Sequence, residues 1–280
     1  MVAQQTLNLW VLGSSPRRSN FMNKIGNPMK KLKLLSITLL MLTTLSGCFV
    51  LQDEADVAPM TLQTELMTTR SHLRASNVGV EVDLFTELFG GRFERTAGNS
   101  QGSGVIYAED DRYYYALTNY HVINPSDFDR VEYRVVPSYL EVEIDAEVIA
   151  VSEAYDLAVL RFLKPEEPLD VIDIFNRLDQ PLEAYEMVLA VGNPSAVNSI
   201  VTYGEFIDHV EIADVTFDVI LHSALIYPGN SGGALADTQG NLIGLNTWRS
   251  SGSDERNLSI PLEDIHTFLL MEEVMFGSDE

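Results

Sequence analysis

Cysteine is almost absent from this chain, since Cys48 is the only one in 280 residues. No disulfide can form within the chain, and the sequence has no histidine and cysteine cluster at the spacing that binds metals. Glycine-rich phosphate loops are missing as well, because the segment Gly102-Ser103-Gly104 is too short to cradle a phosphate. We therefore expect no metal site and no cofactor.

Basic residues are also scarce, because 18 Lys and Arg stand against 41 Asp and Glu, which gives a formal net charge of −23. A surface of this sign repels nucleic acid and anionic lipid headgroups. The composition therefore excludes nucleic acid as a partner. It does not decide the function, since acidity is typical of a solvated protein surface.

The first 48 residues hold six basic side chains and no acidic one. From Met29 the sequence has a basic start, an apolar run over 34–45 and a small-residue segment that ends at Cys48, which is the pattern of a secretory signal. Leu45-Ser46-Gly47-Cys48 resembles the lipobox of bacterial lipoproteins, in which the cysteine is diacylated and becomes the mature N-terminus. The alternative is that Cys48 is an apolar residue at the end of an uncleaved anchor.

Four regions follow from this pattern. Residues 1–47 form the leader, in which 1–28 indicate an upstream start codon and 29–47 the lipoprotein signal peptide. Residues 48–77 lack sustained periodicity and form a tether, and 78–280 form the folded domain. Cleavage before Cys48 would leave 12 Lys and Arg and a net charge of −29. We expect an extracytoplasmic, membrane-anchored lipoprotein of the bacterial cell envelope.

Short strands and frequent turns predict an all-β domain of barrel type. Hairpins are predicted around 108–111 and around 237–240, a continuous apolar strand over 187–191, and a short strand over 219–222 that leads to the serine loop. Leu140 to Val151 is predicted as one long strand or two. A helix is predicted to begin at Pro261 and to pack on the second barrel, because apolar residues at 262, 265, 268 and 269 share one face.

Three segments supply a base, a carboxylate and a nucleophile in chain order: His121 in Thr-Asn-Tyr-His-Val, Asp156 in Asp-Leu-Ala-Val-Leu, and Ser231 in Pro-Gly-Asn-Ser-Gly-Gly. A serine hydroxyl is a poor nucleophile unless an imidazole takes its proton and a carboxylate holds that imidazole in one tautomer. Gly229 allows a turn in which the backbone N–H groups of 229–231 form an oxyanion hole.

Each of these residues also has a plainer explanation. His121 alone could be a hydrogen-bonded loop histidine, Asp156 a turn residue and Ser231 a serine in a glycine-rich turn. Glycines on both sides of Ser231 demand more backbone freedom than an ordinary turn requires. For His222, which precedes the serine loop, a structural role is favoured over a place in the specificity pocket.

Eight ordered segments between Gly102 and Pro261 resemble trypsin-like serine proteases of the bacterial high-temperature-requirement (HtrA/Deg) type. Besides the three above, they include Gln101 to Ile106, Val188 to Pro194, Val201 to Gly204, Gly240 to Thr247 and Ile260-Pro261. The resemblance implies two six-stranded antiparallel β-barrels packed together, as in chymotrypsin, with a short C-terminal helix and the catalytic cleft between the barrels.

The resemblance also implies where substrate binds. Leu245, Asn246 and Thr247 would lie on the strand that pairs with an extended substrate, and Leu225 would stand near the floor of the primary specificity pocket. No Asp stands there, so a small or aliphatic substrate residue is favoured over a basic one. The serine loop 223–228 is less polar than in the family, and the chain ends soon after the terminal helix, so we expect no PDZ module. The glutamyl-endopeptidase branch is a second relative with the same order of the three residues.

The sequence therefore predicts a serine endopeptidase that cleaves extracytoplasmic polypeptides, in unfolded or exposed segments, and is tethered to a membrane through Cys48. The alternative is a catalytically latent trypsin-fold module that binds peptides or acts as a chaperone. The family resemblance leaves a homo-oligomer open.

Overall fold

A computed structural model describes residues 57–89, 92–124, 128–140, 142–194, 198–213, 215–250 and 256–276. The predicted leader, the signal peptide and Cys48 lie outside these ranges. Among the described helices, none combines the length and the apolar character needed to cross a membrane.

Barrel 1 is a closed sheet of six antiparallel strands in the order β1-β2-β3-β6-β5-β4. The strands and one short helix are β1 (Asn77–Leu88), β2 (Phe93–Glu109), β3 (Tyr113–Thr118), α2 (Tyr120–Ile123), β4 (Arg130–Pro137), β5 (Ile144–Ser152) and β6 (Leu157–Leu163). Because side chains alternate across a strand, Val78, Val80 and Val82 all lie on the inner face of β1 and are buried.

Barrel 2 closes in the order β10-β11-β12-β9-β8-β7. Its strands are β7 (Met187–Gly192), β8 (Ile200–Val210), β9 (Val219–His222), β10 (Ala234–Ala236), β11 (Leu242–Ser250) and β12 (Arg256–Pro261). Helix α3 (Leu262–Met271) begins directly after Pro261 and packs on β11 and β12. Its buried residues are Leu262, Ile265, Phe268 and Leu269, which is the predicted face.

The fold confirms the two six-stranded antiparallel barrels and the C-terminal helix that the resemblance implied. The strand predicted over 219–222 is β9 with the same bounds, and the hairpins around 108–111 and 237–240 are those of β2 with β3 and β10 with β11. The ambiguous segment from Leu140 to Val151 contains one strand, β5.

Helix α1 (Val57–Ala75) lies in the segment that the sequence predicts to be a tether, because the segment shows little apolar periodicity. Its C-terminal half is nevertheless packed: Leu73 is fully buried in a core cluster that includes residues of both barrels. The Thr69 hydroxyl donates to the Thr238 carbonyl oxygen (2.8 Å), and His72 Nδ1 lies 3.0 Å from Asp170. A few anchoring side chains, rather than a continuous apolar face, hold this helix on the domain.

Candidate active site

The three residues predicted to carry the chemistry lie on three separate connections between strands. His121 lies in α2, immediately after β3, and Asp156 occupies the turn between β5 and β6, so both belong to barrel 1. Ser231 lies in the loop between β9 and β10 of barrel 2. The Ser231 carbonyl oxygen accepts from the Ser103 N–H of β2 (2.7 Å), which joins the serine loop to barrel 1.

His121 and Asp156 form a close pair. His121 Nδ1 lies 2.8 Å from one carboxylate oxygen and 3.0 Å from the other, and the His121 backbone N–H donates to the same carboxylate (2.9 Å). An ionised carboxylate only accepts hydrogen bonds, so Nδ1 carries the proton and Nε2 is left as the basic nitrogen. The His121 side chain is 44% exposed and that of Asp156 is 13% exposed. A buried carboxylate thus orients an imidazole that solvent or substrate can reach.

The backbone at Asp156 is held in an unusual conformation, with a φ of +53° that non-glycine residues seldom adopt. Its carbonyl oxygen accepts from the Tyr120 N–H (3.1 Å) and from the Asn119 side-chain amide (3.0 Å). These bonds fix the turn to the residues just before His121. Such strain persists only where the surroundings determine it, and it occurs often at active sites.

Thr247 takes part in this site in a way that the sequence did not indicate. Its hydroxyl donates to Asp156 Oδ2 (2.9 Å), so the carboxylate receives a hydrogen bond from barrel 2 as well as from His121. Its carbonyl oxygen accepts from Ser231 Oγ (3.1 Å). Thr247 therefore contacts both the carboxylate and the candidate nucleophile.

Neighbouring strands fix the loop that carries Ser231. The Gly232 N–H donates to the Asn246 carbonyl oxygen (2.9 Å), and the Asn246 N–H donates to the Gly233 carbonyl oxygen (2.8 Å). Gly232 has a φ of +86°, and a Cβ at this position would lie 2.1 Å from the Ser103 carbonyl oxygen. Only glycine fits here, which accounts for the glycine after the serine.

The oxyanion hole differs in one residue from the prediction. Tyr227-Pro228-Gly229-Asn230 forms a tight turn in which the Asn230 N–H donates to the Tyr227 carbonyl oxygen (2.9 Å) and Gly229 has a φ of +94°. The Asn230 amide is therefore engaged and is not available to an oxyanion. Within the described residues, the Gly229 and Ser231 N–H groups make no hydrogen bond, so these two remain the candidate donors.

Asn230 itself is fully buried, and neither atom of its side-chain amide has a hydrogen-bond partner within the described part of the chain. Gly192 makes room for it, because a Cβ there would lie 2.4 Å from Asn230 Cγ. Two unpaired polar atoms beside the candidate nucleophile carry a desolvation cost.

The predicted substrate-binding residues fall into two groups. Leu225 is 41% exposed at the start of the serine loop, and its carbonyl oxygen accepts from the Thr202 hydroxyl (2.7 Å). Leu245, Asn246 and Thr247 are all buried. The backbone N–H and C=O of Asn246 are already bonded to Gly233 and Gly232. The Thr247 carbonyl oxygen, in contrast, accepts from a side chain, the Ser231 hydroxyl.

This arrangement defines the class of trypsin-fold serine peptidases, because two antiparallel barrels bring together a His–Asp pair and a serine in a glycine-rich loop. Comparison with known families agrees: residues 102–245 match the trypsin-like peptidase domain. The chain belongs to this family, and within it the chain is of the HtrA type.

The relatives support the same assignment. The chain is 33% identical to Protease Do-like 1, chloroplastic, of Arabidopsis thaliana over 74% of its own length and 48% of that protein. It is 29% identical to the serine protease Do-like HtrA of Bacillus subtilis over 60% of its own length and 38% of that protein. The chain thus spans less than half the length of these relatives.

Solved structures give the same result. A serine endoprotease from Yersinia pestis matches 75% of the chain with a TM-score of 0.55 and 27% identity, over 66% of its own length. The HtrA-type protease AlgW with a bound tripeptide matches 75% of the chain with a TM-score of 0.59 and 27% identity, over 63% of its own length.

Proposed function

We propose that this chain is a serine endopeptidase that hydrolyses peptide bonds through an acyl-enzyme. The observation that supports this most is the His121–Asp156 pair, in which Nδ1 donates to the buried carboxylate at 2.8 Å and Nε2 is left as a base. In this proposal Ser231 is the nucleophile, His121 the general base and Asp156 the carboxylate that orients the imidazole and stabilises its charged form.

The first step of the mechanism is a rotation of Ser231. Its hydroxyl donates to the Thr247 carbonyl oxygen in this structure and makes no hydrogen bond to His121. An extended peptide that pairs with β11 would offer a backbone N–H to that carbonyl and displace the hydroxyl, which then turns to His121 Nε2. Substrate binding would in this way place the nucleophile against its base.

The chemical steps then follow from the groups in place. His121 Nε2 takes the hydroxyl proton as Ser231 Oγ attacks the scissile carbonyl carbon, and the developing oxyanion accepts from the Gly229 and Ser231 N–H groups. The imidazolium donates its proton to the leaving amine, which breaks the peptide bond. Water, deprotonated by His121, then attacks the acyl-enzyme and releases the acid with Ser231 restored.

A protein substrate tests this proposal directly. The purified chain incubated with casein is expected to generate internal fragments, which mass spectrometry of the products would identify. A trypsin-fold module that only binds peptides would retain casein without cutting it. Intact casein after prolonged incubation, from protein that is folded by circular dichroism, would contradict endopeptidase activity and favour the binding module.

The primary specificity pocket is proposed to lie at Leu225. Replacement of Leu225 by aspartate is expected to lower turnover of substrates with small or aliphatic residues before the scissile bond and to raise that of Arg and Lys substrates. The reason is that an unpaired cation is costly to bury, by several kcal/mol, whereas a carboxylate would pair it. A peptide library with mass-spectrometric detection measures both changes.

The control for this change is Leu270→Asp, which adds the same charge on the exposed outer side of α3. An unmodified protein that already prefers Arg or Lys would contradict the pocket assignment. Equal shifts in both variants would show that net charge, and not the pocket, sets the preference.

We further propose that the protein is extracytoplasmic and is held at a membrane by acylation of Cys48. The support is the signal-like sequence that ends at Cys48 together with the names of two relatives, which describe probable periplasmic endoproteases of Chlamydia trachomatis and Brucella suis. Two or more acyl chains anchor a protein stably, whereas one holds it only marginally.

Replacement of Cys48 by serine is expected to move the protein from the detergent phase to the aqueous phase in a detergent-partition experiment on expressing cells. Immunoblotting of the two phases measures the shift. If parent and variant partition alike after removal of the leader, acylation is not the anchor. A leader that stays attached to the parent would instead indicate a helical anchor.

A further inference from the structure

A chain of buried polar side chains runs beneath the serine loop, inside barrel 2. His222, at the end of β9, lies with Nε2 3.0 Å from Ser259 Oγ on β12. Ser259 Oγ donates to Asn246 Oδ1 on β11 (3.2 Å). All three residues are buried to 1% exposure or less. These residues, the His222 chain, play no part in the proposed chemical steps.

The direction of each hydrogen bond in the His222 chain can be inferred from the Asn246 end. The Asn246 side-chain N–H groups donate to the carbonyl oxygens of Val191 (2.8 Å) and Ala234 (2.9 Å), so its Oδ1 must accept. Ser259 gives its single proton to that oxygen, and its own oxygen must therefore accept from His222 Nε2–H. His222 is accordingly the donor at the start of the chain, in its neutral form protonated on Nε2.

His222 is suited to remain neutral in this position. Burial lowers the pKa of His222 to about 4, and the Ala224 backbone acts in the opposite direction as the smaller cause. Its Nδ1 is buried without a hydrogen-bond partner among the described residues. The Asn257 side chain holds the same region from the other side, since it donates to the His222 carbonyl oxygen (3.5 Å) and accepts from the Ile226 N–H (3.2 Å).

The other end of the His222 chain leads to the candidate active site. The backbone of Asn246 bonds Gly232 and Gly233, the two residues after Ser231. The next residue, Thr247, donates to Asp156 and accepts from Ser231. A shift of Asn246 would therefore move the nucleophile and the group that supports the carboxylate together.

We propose that His222 is a positioning residue for the peptidase reaction, which through Ser259 and Asn246 sets the place of Ser231 and Thr247. This inference rests on the proposed function. It differs from a role in stability alone, because an apolar replacement that fills the same space could keep the fold while it leaves Ser259 Oγ without its donor.

The test compares kcat and KM on a fluorogenic peptide for the full chain and a set of variants. His222→Leu is expected to lower kcat about tenfold with KM nearly unchanged, since small misplacements of reacting groups reduce the chemical step. His222→Gln, whose amide N–H can donate to Ser259, is expected to restore most of that loss. Ser259→Ala, which removes one oxygen, is expected to match His222→Leu. The control is His209→Leu, which changes an exposed histidine on β8.

The kcat of the double variant His222→Leu, Ser259→Ala is expected to be close to that of either single variant, because both changes break the same series of hydrogen bonds. Active-site titration with a fluorophosphonate corrects each rate for the folded fraction. The inference would be overturned if His222→Leu and Ser259→Ala kept the kcat of the parent. It would also be overturned if the loss of kcat in the double variant equalled the product of the two single losses. Failure of Ser259→Ala to fold would overturn it too, because the hydrogen bonds of the His222 chain would then serve the stability of the fold. An inactive parent would contradict the proposed function instead.

Discussion

Replacement of Ser231 by alanine is expected to abolish casein hydrolysis, with a loss in kcat on the order of a million-fold. Without the hydroxyl no acyl-enzyme forms, and only the residual effect of the other groups remains. The fold should persist, because the change removes one partly exposed oxygen whose sole hydrogen bond in the described structure is to the Thr247 carbonyl. Hydrolysis measured by fragment release, with circular dichroism to check folding, gives the result.

The matched control is Ser71→Ala on α1, where the hydroxyl donates to the Met67 carbonyl oxygen one turn earlier (3.1 Å). This variant should keep parental activity. The double variant His121→Ala, Ser231→Ala should be hardly worse than either single variant, because the residues act as a unit. Losses that multiply would show that the two side chains act independently.

Replacement of Asp156 by asparagine is expected to lower kcat by about 10⁴-fold while the fold is kept. An asparagine can occupy the same space, but it offers one accepting oxygen where the carboxylate accepts from the His121 backbone, from His121 Nδ1 and from Thr247. Its amide would donate to Nδ1, which would move the imidazole proton to Nε2, where the base is needed. Rates of peptide hydrolysis at several pH values measure the loss.

The structure contains a second pair that serves as a control for this change. Asp170 lies 3.0 Å from His72 Nδ1 near α1, with about half of its side chain exposed. Asp170→Asn removes a carboxylate from a histidine of similar geometry that is not proposed to act in catalysis. It should leave kcat near that of the parent. A comparable loss in both variants would show that the Asp156 effect reflects charge or stability rather than the tautomer of His121.

The fold was predictable from the sequence where local patterns are strong. β9 follows from a short apolar run, the face of α3 from the spacing of its apolar residues, and the hairpin turns from the polar residues between strands. Closure into two barrels is different, because it depends on strand pairs far apart in the chain, such as β1 with β4. The resemblance to a family, and not the local pattern, carried that prediction.

The candidate site was likewise predictable where local motifs are strong and not where contacts join distant parts of the chain. The short motifs point to His121, Asp156 and Ser231, because the chemistry needs those residue types. The roles of Thr247 and Asn230 could not be inferred, since a donor to Asp156 and an engaged amide in a turn depend on where β11 and the serine loop lie in space. Helix α1 was missed because its attachment depends on single side chains such as Leu73, which leave no periodic pattern.

The most direct test of the central claim is to locate a fluorophosphonate adduct. Such a probe phosphonylates only a serine that a neighbouring base activates. Intact mass and peptide mapping are expected to show one adduct per chain, on the peptide that contains Ser231, and a much slower reaction in His121→Ala. An unlabelled parent chain, or an adduct on any other serine, would contradict the assignment of Ser231 as the activated nucleophile.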